Sequence, residues 1–422
     1  MESEWESGRQ SRWGNLPPDL ILSIAGRVFL PDVVRARGVC RQWAQVLRKP
    51  CSLPAAAATF PFLILSSEHG EQSESCNLLS LPESCCYRVS PLPEIRNRRI
   101  IGSNGNWLVT LNLALEPRLL NPFTREEAPL PSLMAIPDPE YRCMCVPLES
   151  ISTWVGFYYE DDAQQSSPTP YPMNLFRDLC IRKIVPSSDD NGPPTAIVAA
   201  YGFECAVRLA LARPGDCAWT LVPLPLSLNK DGVSDVVHNS KDGRFYAVSR
   251  REVVLAFHPD NPEHITIIST APCSCDEKRY LVFSSDNLLM VERYQSSIFR
   301  PNKCSDAFQV YKINMQREEG DLTFTDTGQH LSGRCLMLGN NHSISLSQEQ
   351  VPGLKENCIY FTDDYPDDLS QHYRDHPPDV GVFDMELRTF DRFLPDYSSY
   401  TWPPPIWEVY GKELGFSEAA IL

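Results

Sequence analysis

The chain has 422 residues, of which 42% are hydrophobic and 22% charged, a globular composition that excludes both global disorder and a membrane channel. Thirty-eight Lys and Arg against 54 Asp and Glu give a net charge of −16, which argues against a nucleic-acid backbone or an anionic membrane as the partner of the whole protein. At about 150 residues per domain, the length predicts two to three units, or one small unit and one large repetitive one.

The charge is divided unevenly along the chain. Residues 1–50 contain eight basic and five acidic side chains, a net charge of +3, whereas the remainder contains 30 basic and 49 acidic ones, a net charge of −19. A basic head on an acidic body predicts that the two parts meet different partners. The first residues lack the apolar region of a secretory signal, so we expect a cytoplasmic or nuclear protein, or both, whose 15 Cys are reduced thiols.

The segment 15–50 has the apolar spacing of helices. Four apolar residues recur at every fourth position: Leu16, Leu20, Ile24 and Val28. They share one face of a helix that we expect to end near Phe29, and a second, short helix is expected from Pro31. A third is expected from about Val39 until Pro50 stops it. Three such helices bury too little apolar surface to be stable alone, so the pattern indicates a helix-mediated contact with another protein.

These helices resemble the F-box. The motif runs Leu-Pro-x-Asp-Leu-x-x-x-Ile-x-x-Arg-Val over Leu16–Val28 and closes with Val-Cys-Arg-x-Trp at Val39–Trp43. The resemblance implies docking on the Skp-type linker protein of a cullin–RING (SCF) ubiquitin ligase, and linker proteins of that kind are acidic, which suits a +3 head. The contact residues that it implies are Leu16, Pro17, Leu20, Ile24, Val33, Val34, Val39 and Trp43. The alternative is that these residues are the ordinary internal packing of a small helical cap.

From Thr59 onward, short runs rich in Val, Ile, Phe, Tyr and Leu alternate with turn residues, the signature of strands. Few helices are long enough for a parallel crossover, which leaves an all-β repeat. Units of about 45–50 residues predict a β-propeller of five to seven blades. The clearest expected strands are Phe62–Ser66, Trp107–Leu111, Thr153–Tyr159, Ala196–Tyr201, Phe245–Ser249, Val253–His258, Tyr280–Ser284, Leu288–Arg293, Phe308–Asn314, Cys335–Leu338, Cys358–Phe361 and Gly381–Asp384.

Three further segments carry local predictions. Asp242-Gly243 predicts a tight turn that leads into a strand. Residues 160–195, rich in Pro, Ser and Asp, fit the repeat poorly and are interpreted as a loop insertion. The tail Tyr400–Trp407 combines prolines with large rings and could be a binding hot spot, but we favour a terminal segment that packs on the first strand or on the helical head and closes the ring.

The body also resembles the plant F-box proteins whose C-terminal part is a Kelch-like propeller. The residues that carry this resemblance are Leu119–Thr124, Tyr280–Phe283, Leu288–Val291, Phe308–Tyr311, Leu336–Asn341, Asn357–Asp364 and Val380–Asp384. Asn357–Asp364 is the most distinctive of these segments. The resemblance implies a substrate-receptor subunit of an SCF-type E3 ligase, in which the head binds the linker, the propeller binds a target protein and the chain has no active site. Alternatives are a scaffold or regulatory binding module outside any ligase, and a propeller hydrolase with an unrecognised site.

No motif predicts a catalytic residue, a cofactor or a metal. Two Cys-x-Cys pairs, starting at Cys143 and Cys273, are spaced too closely for a usual zinc site. His372 and His376 have helical spacing, but two prolines follow and no glutamate completes a hydrolase motif. The acidic cluster Asp363–Asp368 lacks the glycine and terminal glutamate of a calcium loop.

These patterns predict an α+β multidomain chain in which a small three-helix F-box precedes a large all-β propeller. We expect a disordered N-terminus at 1–14, the F-box at 15–50, a linker at 51–58, the propeller at 59–410 and a tail at 411–422.

Overall fold

The computed structural model of the chain contains two short helices near the N-terminus, followed by a ring of sheets. No helix among the residues that it describes is long and apolar enough to cross a membrane. The expected linker 51–58, the tail 411–422 and residues 1–11 lie outside the described residues. The structure describes residues 12–25, 36, 39–47, 60–65, 70–82, 84–89, 92–122, 124–138, 144–147, 153–157, 169–187, 193–202, 207–225, 231–251, 253–269, 278–295, 305–315, 324–326, 331–351, 353–364, 379–391 and 405–410.

The helical head consists of a 3-10 helix at Arg12–Asn15, α1 at Pro18–Ala25 and α2 at Arg41–Leu47. Proline is tolerated in the first turn of a helix, and α1 starts at one of two consecutive prolines, as its sequence predicts. The middle helix expected from Pro31 lies outside the described residues, apart from Ala36, which is helical. The described residues therefore do not establish a three-helix F-box.

Six sheets of four or five strands form the blades in the described part of the chain, within the expected range of five to seven. In blades 2 to 5 the strands follow each other in chain order from the innermost to the outermost. Blade 1 contains β1 (Phe60–Leu65), β2 (Cys76–Ser80) and β3 (Cys85–Val89). Blade 2 contains β4 (Arg98–Asn104), β5 (Trp107–Asn112), β6 (Pro117–Leu120) and β7 (Glu127–Pro129). Blade 3 contains β11 (Ile181–Pro186), β12 (Ile197–Tyr201), β13 (Arg208–Ala212) and β14 (Thr220–Leu221).

The remaining blades contain the strands of the C-terminal half. Blade 6 has five strands. Its β24 (Ile344–Ser347) pairs antiparallel with β23 (Arg334–Leu338) and lies closer to the centre of the ring than β23 does. Blade 4 contains β15 (Val233–Asn239), β16 (Arg244–Ser249), β17 (Val254–His258) and β18 (Asn261–Ser269). Blade 5 contains β19 (Lys278–Ser284), β20 (Asn287–Gln295), β21 (Ser305–Ile313) and β22 (Phe324–Asp326). Blade 6 contains β23 (Arg334–Leu338), β24 (Ile344–Ser347), β25 (Cys358–Phe361), β26 (Gly381–Asp384) and β27 (Thr389–Asp391).

An apolar cluster fills each of the six interfaces between neighbouring blades. One pair of residues represents each interface, in order round the ring from that of blades 1 and 2 to that of blades 6 and 1. The pairs are Phe62 and Leu108, Ile101 and Ile184, Val185 and Phe257, Val237 and Leu281, Val282 and Leu336, and Met337 and Trp407. Because neighbouring blades cover both faces of a sheet, central strands are apolar along their whole length, as β12 is. The backbones of β4 and β11 come so close that a Cβ on Gly102 would overlap the carbonyl oxygen of Ile184.

The C-terminal segment closes the ring, which confirms the favoured interpretation of the tail. Strand β28 (Ile406–Tyr410) pairs antiparallel with β1 and becomes the innermost strand of blade 1. Trp407 is fully buried and meets Tyr360 of blade 6 edge-on, with ring centroids 6.1 Å apart. A role for Trp407 as an exposed binding residue is therefore wrong.

The expected loop insertion at 160–195 is wrong in its second half. Strands β8 (Met144–Pro147), β9 (Thr153–Phe157) and β10 (Thr169–Pro172) form a separate three-stranded sheet, which α3 (Met173–Cys180) connects to blade 3. Residues 181–186 are the innermost strand of that blade. Its apolar pattern is interrupted by Lys183, whose buried ammonium group pairs with Asp235 of β15, so the sequence lacks the usual signal of a buried strand.

One loop of blade 6 crosses the centre of the ring. The backbone N–H of His342, which precedes β24, donates to the carbonyl oxygen of Ser103 in blade 2 (3.0 Å). Its Nε2 accepts from the backbone N–H of His238 in blade 4 (3.1 Å). Neither blade is a neighbour of blade 6, so these contacts connect three blades that are not adjacent in the ring. Desolvation by burial lowers the pKa of His342 from 6.5 to about 3.

We therefore expect the stability of the propeller to fall as the pH decreases from about 6.5 towards 3. In that window the unfolded chain binds a proton on His342 and the folded protein does not, so the free energy of unfolding falls by up to about 1.4 kcal/mol per pH unit from this group. Urea denaturation at several pH values measures the slope. His342→Gln should reduce the slope and exposed His264→Gln should not; equal slopes in all three proteins would contradict the assignment.

Candidate partner-binding site

The helical head has an apolar core made of its own residues. Ile21, Ala25, Trp43 and Leu47 are buried together, and half-buried side chains complete the cluster: Leu16, Leu22, Ile24, Ala36, Cys40 and Val46. One face of α1 therefore packs on one face of α2, which leaves the opposite faces free to meet another protein.

Hydrogen bonds fix the beginnings of the two helices side by side. The Gln42 side chain, in the first turn of α2, donates to the carbonyl oxygen of Leu16 just before α1 (2.8 Å). The indole N–H of Trp43 donates to the carbonyl oxygen of Trp13 (2.8 Å). Val39 lies at this same end of the helix pair because it precedes α2 by two residues, and its N–H donates to the carbonyl oxygen of Ala36 (3.1 Å).

This end of the head presents apolar side chains to solvent. Leu20 is 51% exposed and Val39 is 52% exposed, and Pro17, which follows the 3-10 helix in the chain, is exposed as well. Of the seven large apolar side chains that are exposed in the described part of the chain, three are in the head, although the head is a small fraction of those residues. We call Trp13, Pro17, Leu20 and Val39 the apolar end of the head. Clusters of exposed apolar side chains mark interaction sites more often than isolated ones do.

The eight predicted contact residues fall into four groups. Pro17, Leu20 and Val39 are exposed, and Leu16 and Ile24 are half-buried against the head's core. Trp43 is only 4% exposed and supports the head from inside. The remaining two, Val33 and Val34, lie outside the described residues.

Trp13 was missed by the sequence reasoning. Its side chain is 60% exposed, while its carbonyl oxygen holds Trp43 in place. The helical spacing begins only at Leu16, so a tryptophan in the preceding 3-10 helix carries no periodic signal. A large aromatic side chain next to an apolar motif was the available hint, because aromatic residues are enriched at interfaces.

In the propeller, all five buried carboxylates of the described residues contact a cation. The pairs are Asp138 with Arg208, Asp235 with Lys183, Glu292 with Arg279, and Asp364 and Asp379 with Arg293. A general acid–base pair needs titratable groups whose environments push their pKa values apart at a site open to substrate. These carboxylates instead form structural ion pairs with buried or half-buried cations. The described residues also contain no group of three or more side chains arranged to hold a metal ion.

Comparison with known proteins covers both parts of the chain. A family model described as KIB1-4 β-propeller matches residues 78–384, from β2 to the end of β26. A second model, described as F-box-like, matches residues 13–53, which include the whole described head except Arg12.

Curated relatives extend over most of the chain. F-box/kelch-repeat protein KIB1 of Arabidopsis thaliana is 32% identical over 360 residues, which cover 84% of this chain and 78% of that protein. Probable F-box protein At4g22060 of the same plant is 24% identical over 401 residues, 90% of this chain and 92% of that protein. Among solved structures, the Cps50 (Swd1) β-propeller domain of Myceliophteria thermophila matches 63% of this chain and 88% of that one, at 10% identity and a TM-score of 0.25, too low to support an argument.

Proposed function

The chain belongs to the KIB1-4 β-propeller family and has an F-box-like segment ahead of its propeller, and from this premise we propose that it is a substrate-receptor subunit of an SCF-type cullin–RING E3 ubiquitin ligase. The head docks on the Skp-type linker protein, which joins it to the cullin. The propeller binds a target protein. Ubiquitin is transferred by other subunits, and this chain acts as an adaptor without a catalytic site of its own.

The exposed apolar end of the head is the observation that supports linker docking most directly. Leu20 and Val39 are each about half exposed, although the head has few apolar residues to spare for its core. Because each side chain is already half covered, burying the rest at an interface contributes roughly 0.8–1.5 kcal/mol each. A head that is only a structural cap would gain stability by turning these side chains inward, so their exposure favours a partner.

Charge supports the same division of roles. The first 50 residues have a net charge of +3 and the rest −19. An acidic linker protein is attracted to the head and repelled by the body, which favours docking at the head and speeds the encounter.

The propeller suits a binding platform. Its six interfaces are filled by apolar clusters, and its buried carboxylates are neutralised by cations. A rigid ring of this kind presents loops on two faces, where recognition residues are usually found. These features support an adaptor more than a hydrolase, which needs free titratable groups in a cleft.

We place this role in the cytoplasm, the nucleus or both. The cysteines of the described residues are free thiols, and four of them, at positions 76, 180, 335 and 358, are buried in the propeller. Free buried thiols suit a reducing compartment.

Affinity purification of the tagged full chain from plant cells, with and without proteasome inhibition, tests the proposal. We expect the linker protein and the cullin in both samples, and target proteins enriched when the proteasome is blocked. The double variant Leu16→Ala/Pro17→Ala, checked for an intact propeller by thermal unfolding, should lose linker and cullin but keep the targets. Recovery of propeller-bound proteins with no linker or cullin on the unmodified chain would contradict the ligase role and favour a scaffold.

A further inference from the structure

A pocket of about 470 Å³ opens on the propeller at the face where the innermost strand of blade 2 begins. It lies between the connection from β3 to β4 and the strands of blade 2. Its lining consists of Pro93, Glu94, Arg96, Asn97, Arg98, Asn112, Arg118 and Glu127. Arginines and carboxylates therefore share its wall, and the way in which they pair decides what the pocket attracts.

Arg98 is the buried cation of this pocket. Its residue is 8% exposed, and its guanidinium donates only to neutral acceptors: from Nε to the hydroxyl of Thr110 (2.8 Å) and from Nη2 to the carbonyl oxygens of Thr110 (3.0 Å) and Glu116 (2.6 Å). Within the described residues, its Nη1 has no hydrogen-bond partner and no carboxylate forms an ion pair with it. A buried guanidinium usually has an anionic partner, because desolvating its charge alone is costly.

Arg118 projects beside Arg98. The register pairs Thr110 with Arg118 on adjacent strands, so their side chains lie on the same face of the sheet as the Arg98 side chain that contacts Thr110. In the described part of the chain, the Arg118 guanidinium donates no hydrogen bond; its nearest carboxylate is Glu127, at 3.6 Å. Desolvation and, next, the charge of Arg118 lower the pKa of Arg98 to about 10, the expected effect of two close cations in a partly dry site.

The carboxylates in the lining form no ion pair with Arg98, although the charges of Glu127 and of nearby Glu116 partly offset the effects that lower its pKa. Glu94 lies 3.8 Å from Arg125, which is outside the lining, and Glu127 is the distant partner of Arg118. Arg96 is satisfied by Glu74, at 3.0 Å. Arg98 is thus the arginine of this pocket that forms no ion pair with a carboxylate of the described residues. The lining has three arginines against two glutamates, two guanidinium groups with unused donors and room for a small group.

We propose that this pocket binds an oxyanion, a carboxylate or a phosphate group, on the protein target, with Arg98 and Arg118 as the recognition residues. Guanidinium groups present parallel N–H donors that match both kinds of oxyanion. The amide of Asn97, on the rim, supplies a further donor within the lining. This inference rests on the proposed receptor function only in assigning the oxyanion to a target; the pocket itself is independent of the head.

Ligand-observed NMR titration of the purified full chain at constant ionic strength tests this proposal. The probes are inorganic phosphate, N-acetyl-phosphoserine amide and N-acetyl-glutamate amide. If only the phosphoserine probe binds saturably, the site recognises phosphorylated targets. If only the glutamate probe binds saturably, the site recognises acidic targets. Arg118→Gln should lower the affinity for the probe about tenfold or more, since it removes a charged hydrogen-bond donor.

Matched variants separate this site from general charge effects. Glu127→Gln removes the competing carboxylate and should strengthen binding severalfold, whereas Arg244→Gln, at the exposed first residue of β16 in blade 4, should leave it unchanged. Absence of saturation, or equal affinity in the unmodified protein and Arg118→Gln, would overturn the proposal. No linker protein is present in this titration, so its result is independent of whether the head docks on one.

Discussion

Replacing Leu20 by Asp is expected to weaken binding of a Skp-type linker protein by at least about thirtyfold, while the propeller stays folded. Leu20 is exposed on α1 at the apolar end of the head, so the substitution costs the free protein little. In the complex it removes an apolar contact and buries a charge without a partner, and truncation of a central interface residue alone commonly costs about 2 kcal/mol or more. Val39→Asp should act in the same direction. Calorimetric titration with the linker measures both.

Leu387→Asp is the matched control for this pair. Leu387 is 72% exposed, more than Leu20, but it lies in blade 6, between β26 and β27. The same chemical change there should leave linker affinity within about twofold of the unmodified protein. Equal losses from all three substitutions, or none from Leu20→Asp with an unchanged unfolding temperature, would refute the assignment of the contact to the head.

Arg293→Met is expected to destabilise the propeller by about 3–5 kcal/mol, the usual cost of removing one partner from a buried ionic network. The Arg293 side chain is fully buried on β20. Its guanidinium donates to Asp364 (3.1 Å), Asp379 (2.9 Å), the hydroxyl of Tyr280 (3.0 Å) and the hydroxyl of Ser305 (2.7 Å). Removing it leaves two buried carboxylates that no longer have their strongest cation.

Geometry makes this arginine difficult to replace even by lysine. Its guanidinium carbon lies 4.8 Å from the centroid of the Phe361 ring and 5.9 Å from that of Phe308, so the planar group is held by aromatic faces as well as by hydrogen bonds. Lysine keeps the charge but cannot reach at once the acceptors on β19 and β21 and the two carboxylates between β25 and β26. Urea denaturation should show a clear loss for both variants of this residue and less than about 0.5 kcal/mol for exposed Arg244→Met. A comparably small change for Arg293→Met would contradict the role of the network.

This network explains why the segment Asn357–Asp364 is so distinctive in the sequence. Its last residue, Asp364, pairs with Arg293, and its first, Asn357, accepts the backbone N–H groups of Leu331 and Gly333 (2.9 and 3.2 Å). The segment thus connects blade 6 both to blade 5 and to its own first strand. The sequence indicates that the segment is special, but partners about 70 positions away cannot be read from local spacing.

Sequence reasoning succeeds for strands in which most residues are apolar. All twelve expected strands are present, with bounds that shift by a few residues, and the Asp242-Gly243 turn leads into β16 as predicted. The resemblance to plant F-box proteins with a Kelch-like propeller is confirmed.

Sequence reasoning misses three of the innermost strands. Strands β4, β11 and β15 were not among the expected strands, and each of them buries a charged side chain, at Arg99, Lys183 and Asp235 respectively. These charges are paired with groups on other elements, Lys183 with Asp235 and Arg99 with Asp178. A buried strand that contains compensated charges resembles a loop to any method that reads hydrophobic periodicity alone.

In the head, the pattern predicts which helix faces are apolar but not which apolar residues remain exposed. Leu20 and Trp43 belong to the same motif, yet one is exposed and the other is sealed by Ile21 and Leu47. The difference depends on how α1 packs on α2. That packing is fixed partly by Gln42 and by the carbonyl oxygen of Trp13, neither of which contributes to the hydrophobic pattern.

Calorimetric titration of the purified full chain with a purified plant Skp-type linker protein tests the central claim most directly. Docking of the head predicts a saturable one-to-one complex whose affinity falls with rising salt, because a basic head meets an acidic partner. No binding by a chain whose propeller unfolds cooperatively, or binding that survives Leu20→Asp and Val39→Asp together, would show that the apolar end of the head serves another purpose.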